Sequence, residues 1–270
     1  MSKQSRVKLR IGIFDSGIGG FTIFNSLLKT RKDVEVFYLA DTKRIPFGNK
    51  NFEEIRLIAK EICTFFEDKN LNALLIACNT TNACALDILE TNLGIPCFDL
   101  INSVSGMVNK QIIGIIATQT TVRSSYYKNV INSKKKNLKI FQKECPEFVP
   151  EIEKEKLDFF KLNNLFDLYL EPLLNKNIEE LILGCSHYPL IYDFLRKKIN
   201  PNINIIDPSE ALIKNFNESF TISKTDGYES LSFENIKFFV TSEREEFSKK
   251  VKFWLGINKE IRLVNLRSNV

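Results

Sequence analysis

Three observations predict an α/β protein made of two similar Rossmann-like domains with parallel sheets. Short β-branched apolar runs alternate with longer amphipathic segments, the pattern of strands joined by crossover helices. Four of the runs in the first half recur in the same order in the second. The length, 270 residues, corresponds to about two domains of ordinary size.

Strands are expected at 9–14, 34–39, 73–77 and 95–98, and again at 112–117, 138–141, 181–183 and 203–206. The segments between them read as helices. In the stretch 52–68, Ile55, Ile58, Ala59, Ile62, Phe65 and Phe66 recur at three- and four-residue spacing, which places them on one helical face. The internal match pairs Ile11-Gly12-Ile13-Phe14 with Ile113-Gly114-Ile115-Ile116 at an offset of 102, and Val34 to Phe37 with Leu138 to Phe141 at 104. It continues with Leu74 to Cys78 against Leu181 to Cys185 at 107, and Ile95 to Asp99 against Ile203 to Asp207 at 108. Offsets that rise smoothly are what small loop insertions produce. From Asp207 onward the repeat breaks: 211–216 reads as a helix, 235–240 as a strand, 243–255 as a helix stopped by Gly256, and 261–266 as a last strand. This tail is expected to pack back on the first half. The expected domains are therefore 1–99 with 208–270, and 100–207. They would be related by a pseudo-twofold, with a site in the cleft between them.

Composition narrows the function classes. Hydrophobic residues make up 44% and charged ones 26%, which suits a soluble globular protein rather than a fibrous or disordered one. The net charge of +5 is spread along the chain and lacks the clustered basic footprint of a nucleic-acid binder. Lys134-Lys135-Lys136 reads as a solvated loop. The apolar run after the basic start stops at Asp15, too short for a signal-peptide core. No stretch approaches 18 apolar residues, so no membrane span is expected. Six cysteines, none spaced C-x-x-C, suit reduced thiols in the cytoplasm.

In parallel α/β sheets, ligands bind outside the carboxyl ends of the strands, and those loops are polar here. Asp15-Ser16-Gly17-Ile18-Gly19-Gly20 follows the first strand. It reads either as a plain turn capped by Asp15, or as a ligand loop whose glycines allow a tight turn and close approach. Cys78-Asn79-Thr80-Thr81-Asn82 and Cys185-Ser186-His187-Tyr188-Pro189 place a cysteine at the same point of each repeat, just past a buried strand. A single cysteine there is ordinarily a small buried hydrophobe, the reading that fits Cys63, Cys84 and Cys97. The matched positions weigh against it for Cys78 and Cys185. His187 is the sole histidine and falls in the second of these loops.

These groups admit several chemistries. A metal site would need further close ligands, and the usual clusters are absent. A Cys–His nucleophile would leave one cysteine idle. Two thiols on opposite faces of a small substrate suit removal of a proton from one face of a carbon and delivery from the other. Asp15 and His187 could then help move each proton, while hydroxyl and N–H donors stabilise the carbanion.

The ordered set Asp15-Ser16-Gly17-Ile18-Gly19-Gly20, Asp41 with Pro46-Phe47-Gly48, Cys78-Asn79-Thr80, Cys145-Pro146-Glu147-Phe148-Val149-Pro150 and Gly184-Cys185-Ser186-His187-Tyr188-Pro189-Leu190 resembles the bacterial glutamate racemase family. The likeness runs from about Ile11 to Leu266. It implies a cofactor-independent isomerase that interconverts L- and D-glutamate and supplies peptidoglycan synthesis, with no metal. It also implies Cys78 and Cys185 as the acid/base pair, assisted by Asp15, His187 and Glu153. Substrate contacts carried over are Asp15, Ser16, Phe47 through its backbone, Gly48, Asn79, Thr80, Thr118, Ser186 and His187. A homodimer is implied, with no nucleic-acid or membrane partner. Phe47 stands where tyrosine is usual, Ser186 for threonine and Ala117 for glycine, while Thr81-Asn82 replace smaller residues. Aspartate racemase of the same two-cysteine superfamily, a silent binding protein on this fold and a cysteine hydrolase are the competing readings. The Asp-Ser-Gly-x-Gly-Gly and Pro-x-Gly motifs favour glutamate.

Overall fold

A computed structural model describes residues 8–220 and 235–267. The leading residues 1–7 and part of the expected tail lie outside the described residues. The first half runs β1 (Leu9–Asp15), α1 (Phe21–Thr30), β2 (Val34–Ala40), α2 (Phe52–Glu67), β3 (Ala73–Ile76), α3 (Asn79–Leu93), β4 (Cys97–Asp99) and α4 (Leu100–Val104). The second runs β5 (Ile112–Ala117), α5 (Gln119–Ser124), α6 (Tyr126–Lys134), β6 (Lys139–Glu144), α7 (Phe148–Ile152), α8 (Phe159–Tyr169), α9 (Glu171–Leu174), β7 (Glu180–Gly184), α10 (Tyr192–Lys198) and β8 (Asn204–Ile206). The tail adds α11 (Pro208–Ser219), β9 (Ile236–Val240), α12 (Arg244–Leu255) and β10 (Ile261–Leu263).

Two wholly parallel sheets result, ordered β10-β9-β2-β1-β3-β4 and β6-β5-β7-β8. The repeat seen in the sequence is thus a repeat of topology: 2-1-3-4 becomes 6-5-7-8. It holds to the register. Ile11 lies opposite Ala73 between β1 and β3, and the matched Ile113 lies opposite Glu180 between β5 and β7. The central strands β1, β3, β5 and β7 are almost wholly buried because helices cover both faces. β9 and β10 extend the first sheet from the β2 edge.

Several expectations are refined. β4 begins at Cys97 rather than Ile95, because Pro96 has no N–H to give a ladder; its carbonyl instead accepts from Leu74 N at 3.0 Å. The lysine run is not simply a solvated loop. Lys134 ends α6 and reaches the Ser105 hydroxyl at 2.6 Å, and Lys135 binds the Val108 carbonyl. Gly256 stops α12 in the left-handed region at φ 68°. α3 breaks at Ala85, where Arg56 takes the Cys84 carbonyl at 3.0 Å. Among the described residues, no helix is long and apolar enough to cross a membrane.

Candidate active site between the sheets

In each sheet the strand order reverses between two central strands, β1 and β3 in one and β5 and β7 in the other, the switch point at which open α/β sheets bind ligands. Asp15 ends β1 and Cys78 follows β3; Thr118 follows β5 and Cys185 follows β7. All four carboxyl ends turn toward one another, and the loops of the two halves interlock. Ser186 Oγ donates to Asp15 Oδ2 at 2.8 Å, Ile18 N to Glu153 Oε1 at 3.1 Å, and Tyr127 Oη to Asn79 Oδ1 at 2.6 Å. The hydroxyls of Thr80 and Thr118 lie 3.0 Å apart, with Thr121 2.9 Å from Thr118.

The first loop folds for reasons of space. Gly17, Gly19 and Gly20 keep negative φ, so the tight-turn reason for glycine does not apply. A Cβ on Gly19 would come 2.2 Å from Ser186 Oγ and 2.7 Å from His187 Nδ1. Only a bare backbone lets the opposite loop approach this closely. Gly48 behaves alike, since a Cβ there would meet Thr118 Cβ at 2.5 Å, and Thr120 Oγ1 donates to its carbonyl at 2.9 Å. The Phe47 ring is buried against Phe14, centroids 6.1 Å apart, so it packs and leaves only backbone for a ligand. Two N–H groups of the first loop already meet carboxylates: Gly17 N that of Asp15 at 2.7 Å, and Ile18 N that of Glu153.

Cys78 caps α3, where the helix dipole favours a thiolate. Burial, followed by the charge of Asp15, works the other way and pushes this thiol up to about 12, with Thr81 holding it down in part. Burial likewise pushes the Asp15 carboxyl up, against the charge of His187. Across the site, Cys185 Sγ lies 3.9 Å from His187 Nδ1, and His187 Nε2 lies 2.7 Å from Glu153 Oε1. Burial disfavours a charged imidazole, but Cys185 and Glu153 outweigh it and hold His187 well above its ordinary range. Burial would also raise Glu153, yet His187 and Lys250 pull it down to about 2. The pair is therefore imidazolium and carboxylate. Lys250 Nζ reaches Glu153 Oε2 at 2.9 Å.

Asp15, Ser16, Cys78, Asn79, Thr80, Thr118, Cys185, Ser186 and His187 are each no more than 6% exposed. The site is closed: Asn79, Cys185, Ser186 and Asp207 line a crevice too narrow to admit a water. Asn79 Nδ2 is buried with no partner, a donor that a ligand would satisfy. All the expected site residues lie at this junction. The sequence did not disclose Tyr127, Thr121 or Lys250, which reach it through long-range packing; Thr81 stood inside a noted motif. Asn82 explains one departure from the motif: its amide donates to the Ile76 and Cys78 carbonyls and accepts from Leu100 N at 2.6 Å, pinning the loop. Among the described residues no cluster of three or more His, Cys, Asp or Glu could hold a metal ion.

Comparison with known proteins fits this geometry. The model of the family described as Asp/Glu/Hydantoin racemase matches residues 23–215. A glutamate racemase of Prochlorococcus marinus (strain NATL1A) is 44% identical over 261 residues, covering 96% of this chain and 98% of the relative. Among solved structures, a glutamate racemase of Bacillus anthracis superposes with TM-score 0.86 at 28% identity, covering 97% of this chain and 99% of its own. One from Francisella tularensis subsp. tularensis SCHU S4, solved in complex with D-glutamate, gives TM-score 0.84 at 31% identity over 97% of this chain and 100% of its own.

Proposed function

The chain belongs to the Asp/Glu/Hydantoin racemase family, and from that premise we propose that it is a glutamate racemase using Cys78 and Cys185 as its two acid/base groups. The carrying observation is the convergence of two loops from equivalent strand ends, one bearing each cysteine, around the unpartnered Asn79 amide nitrogen. D-Glutamate made this way feeds peptidoglycan synthesis.

In the proposed reaction, one cysteine is a thiolate and takes the Cα proton of glutamate, leaving a carbanion. The other is a thiol and gives its proton to the opposite face. Each turnover exchanges the two protonation states, and Asp15 beside Cys78 and His187 with Glu153 beside Cys185 carry protons to reset them. Asn79, Thr80, Thr118, Ser16 and Ser186, with the backbone at Phe47 and Gly48, supply donors and acceptors that are fixed before the reaction and so cost no reorganisation when charge develops. In this closed form the bonds from Ser186 to Asp15 and from Thr80 to Thr118 must part for glutamate to enter. The two lobes that part are taken as 1–99 with 208–270, and 100–207. The thiols supply both acid and base, so the proposal needs no cofactor or metal. It also takes the protein as a cytoplasmic homodimer.

The test is incubation of purified protein with L-glutamate and, separately, with L-aspartate, following optical rotation without added cofactor. Decay of rotation with glutamate alone is expected. A faster decay with aspartate, or none with either, overturns the reading.

A further inference from the structure

The Cys185 side of the site is tied to a helix that lies outside the segment matched by the family model. α12 presents Lys250, whose side chain is 12% exposed, to Glu153. The Glu153 carboxylate is divided. Oε1 faces His187 Nε2 at 2.7 Å and accepts from Ile18 N at 3.1 Å, while Oε2 accepts from Lys250 Nζ at 2.9 Å. Lys250 is itself shared, for Glu246 Oε1 lies 2.8 Å from the same nitrogen. The charged and titratable groups facing His187 are Cys185 on its own loop, Glu153 after α7 and Asp15 at the end of β1. Lys250 and Glu246 of α12 stand one contact further out. An outer ion pair, Lys249 with Glu155 at 3.0 Å, is exposed on both sides and touches none of these groups.

We propose that Lys250 is a positioning residue for the Cys185 relay: by claiming one oxygen of Glu153 it keeps the other aimed at His187 and takes a share of the carboxylate's charge. The meaning of this for catalysis rests on the two-cysteine reading above. The consequence for His187 does not. With Lys250 present, the imidazolium competes with an ammonium for one carboxylate, so it releases its proton to Cys185 more readily than it would to a carboxylate wholly its own. Glu246 opposes Lys250 by drawing its charge the other way. A lysine that only docked α12 would make no such pair of opposite effects.

His187 is the sole histidine, so its ring resonances need no assignment. The experiment follows the His187 ring in ¹⁵N-labelled full-length protein, both the titration midpoint and the Nε2–H proton shift at fixed pH. Lys250→Met should raise the midpoint by ~0.5–1 unit, as expected for loss of a partly exposed charge near a titrating group, and move the Nε2–H proton downfield. Glu246→Gln should do the reverse by a smaller amount. Lys250→Arg should stay close to the parent, and Lys249→Met should change nothing. With glutamate, Lys250→Met should lower kcat by roughly threefold to tenfold, the counterpart of that shift, with KM little altered. An unmoved His187 in Lys250→Met, or shifts of the same sign in Lys250→Met and Glu246→Gln, overturns the assignment. If Lys250→Met does not fold, the Glu246→Gln shift and the unchanged Lys250→Arg decide it. A parent protein that racemises no glutamate would sink the proposed reaction while the ring shifts still judge Lys250.

Discussion

Cys78 and Cys185 occupy the same point of a duplicated scaffold, yet their surroundings are opposite. Cys78 heads α3 with neutral hydroxyls nearby and the Asp15 carboxyl as its nearest charged group, and it is pushed up to about 12. Cys185 faces an imidazolium backed by Glu153 and Lys250. Duplication supplied the symmetry of position, and divergence of the loops supplied the asymmetry of charge. A reaction that needs one thiol and one thiolate at a time would gain from this, because burial and Asp15 disfavour the Cys78 thiolate in the closed site.

The largest effect should come from removing either sulfur. Cys78→Ser and Cys185→Ser are each expected to cut kcat by at least roughly 10²-fold, the low end for loss of a general acid or base, with circular dichroism unchanged. If either variant still turns over both enantiomers near the parent rate, the comparison between the two flanks loses its functional content. His187→Asn should cost less, roughly tenfold to 10²-fold, because it removes a helper and leaves both thiols. The enantiomers are equal in energy, so kcat/KM must fall by one factor in both directions. The asymmetry has to be read elsewhere: solvent deuterium should enter Cα without inversion from one enantiomer more than the other. Equal one-sided exchange from both would assign His187 to neither flank.

The Glu153–His187 pair also marks stability. Glu153 lies at about 2 in the folded protein against its ordinary 4.5. Between those values the unfolded chain binds more protons, so stability rises with pH across the window. This contribution is present above pH about 4.5 and lost as the pH falls toward about 2. Glu153→Gln should flatten that part of the acid-unfolding curve, by at most about 3 kcal/mol given 1.36 kcal/mol per unit. Asp207 works the other way: burial raises it to about 6, so its contribution declines as pH climbs from 3.8 to about 6. Urea midpoints at several pH values separate the two windows. An unchanged curve for Glu153→Gln below pH 4.5 would mean the pair is not ionic.

What could be read before the structure divides along the same line. The strand positions along the chain and the equivalence of Cys78 and Cys185 follow from local patterns, since a strand buried on both faces must be apolar and its repeat is visible as sequence. Glycine in the first loop was legible as important but for a second reason, because the close approach of Ser186 to Gly19 is a contact between residues 167 positions apart in the chain. Lys250 and Tyr127 were not legible at all. One polar side chain on an amphipathic helix looks like any other until the fold shows which carboxylate or amide it meets.

The smallest expected effect bears on how Cys78 differs from its counterpart. Thr81 lies three residues into the helix that Cys78 caps, is fully buried, and its Oγ1 meets no nitrogen or oxygen. An N-cap side chain and the third helical residue are the pair that satisfy each other at a helix start; with sulfur at the cap, the Thr81 N–H and hydroxyl are what hold the thiol down against burial. Thr81→Val keeps the shape and removes the hydroxyl, so it should leave stability unchanged or raise it slightly, since no buried partner is orphaned. Its cost should fall on the thiolate: the acid limb of the kcat profile should move up by a few tenths of a unit, a few-fold loss at neutral pH, and Thr81→Ser should restore it. A Thr81→Val profile that overlays the parent would leave Cys78 tuned by burial and Asp15 alone.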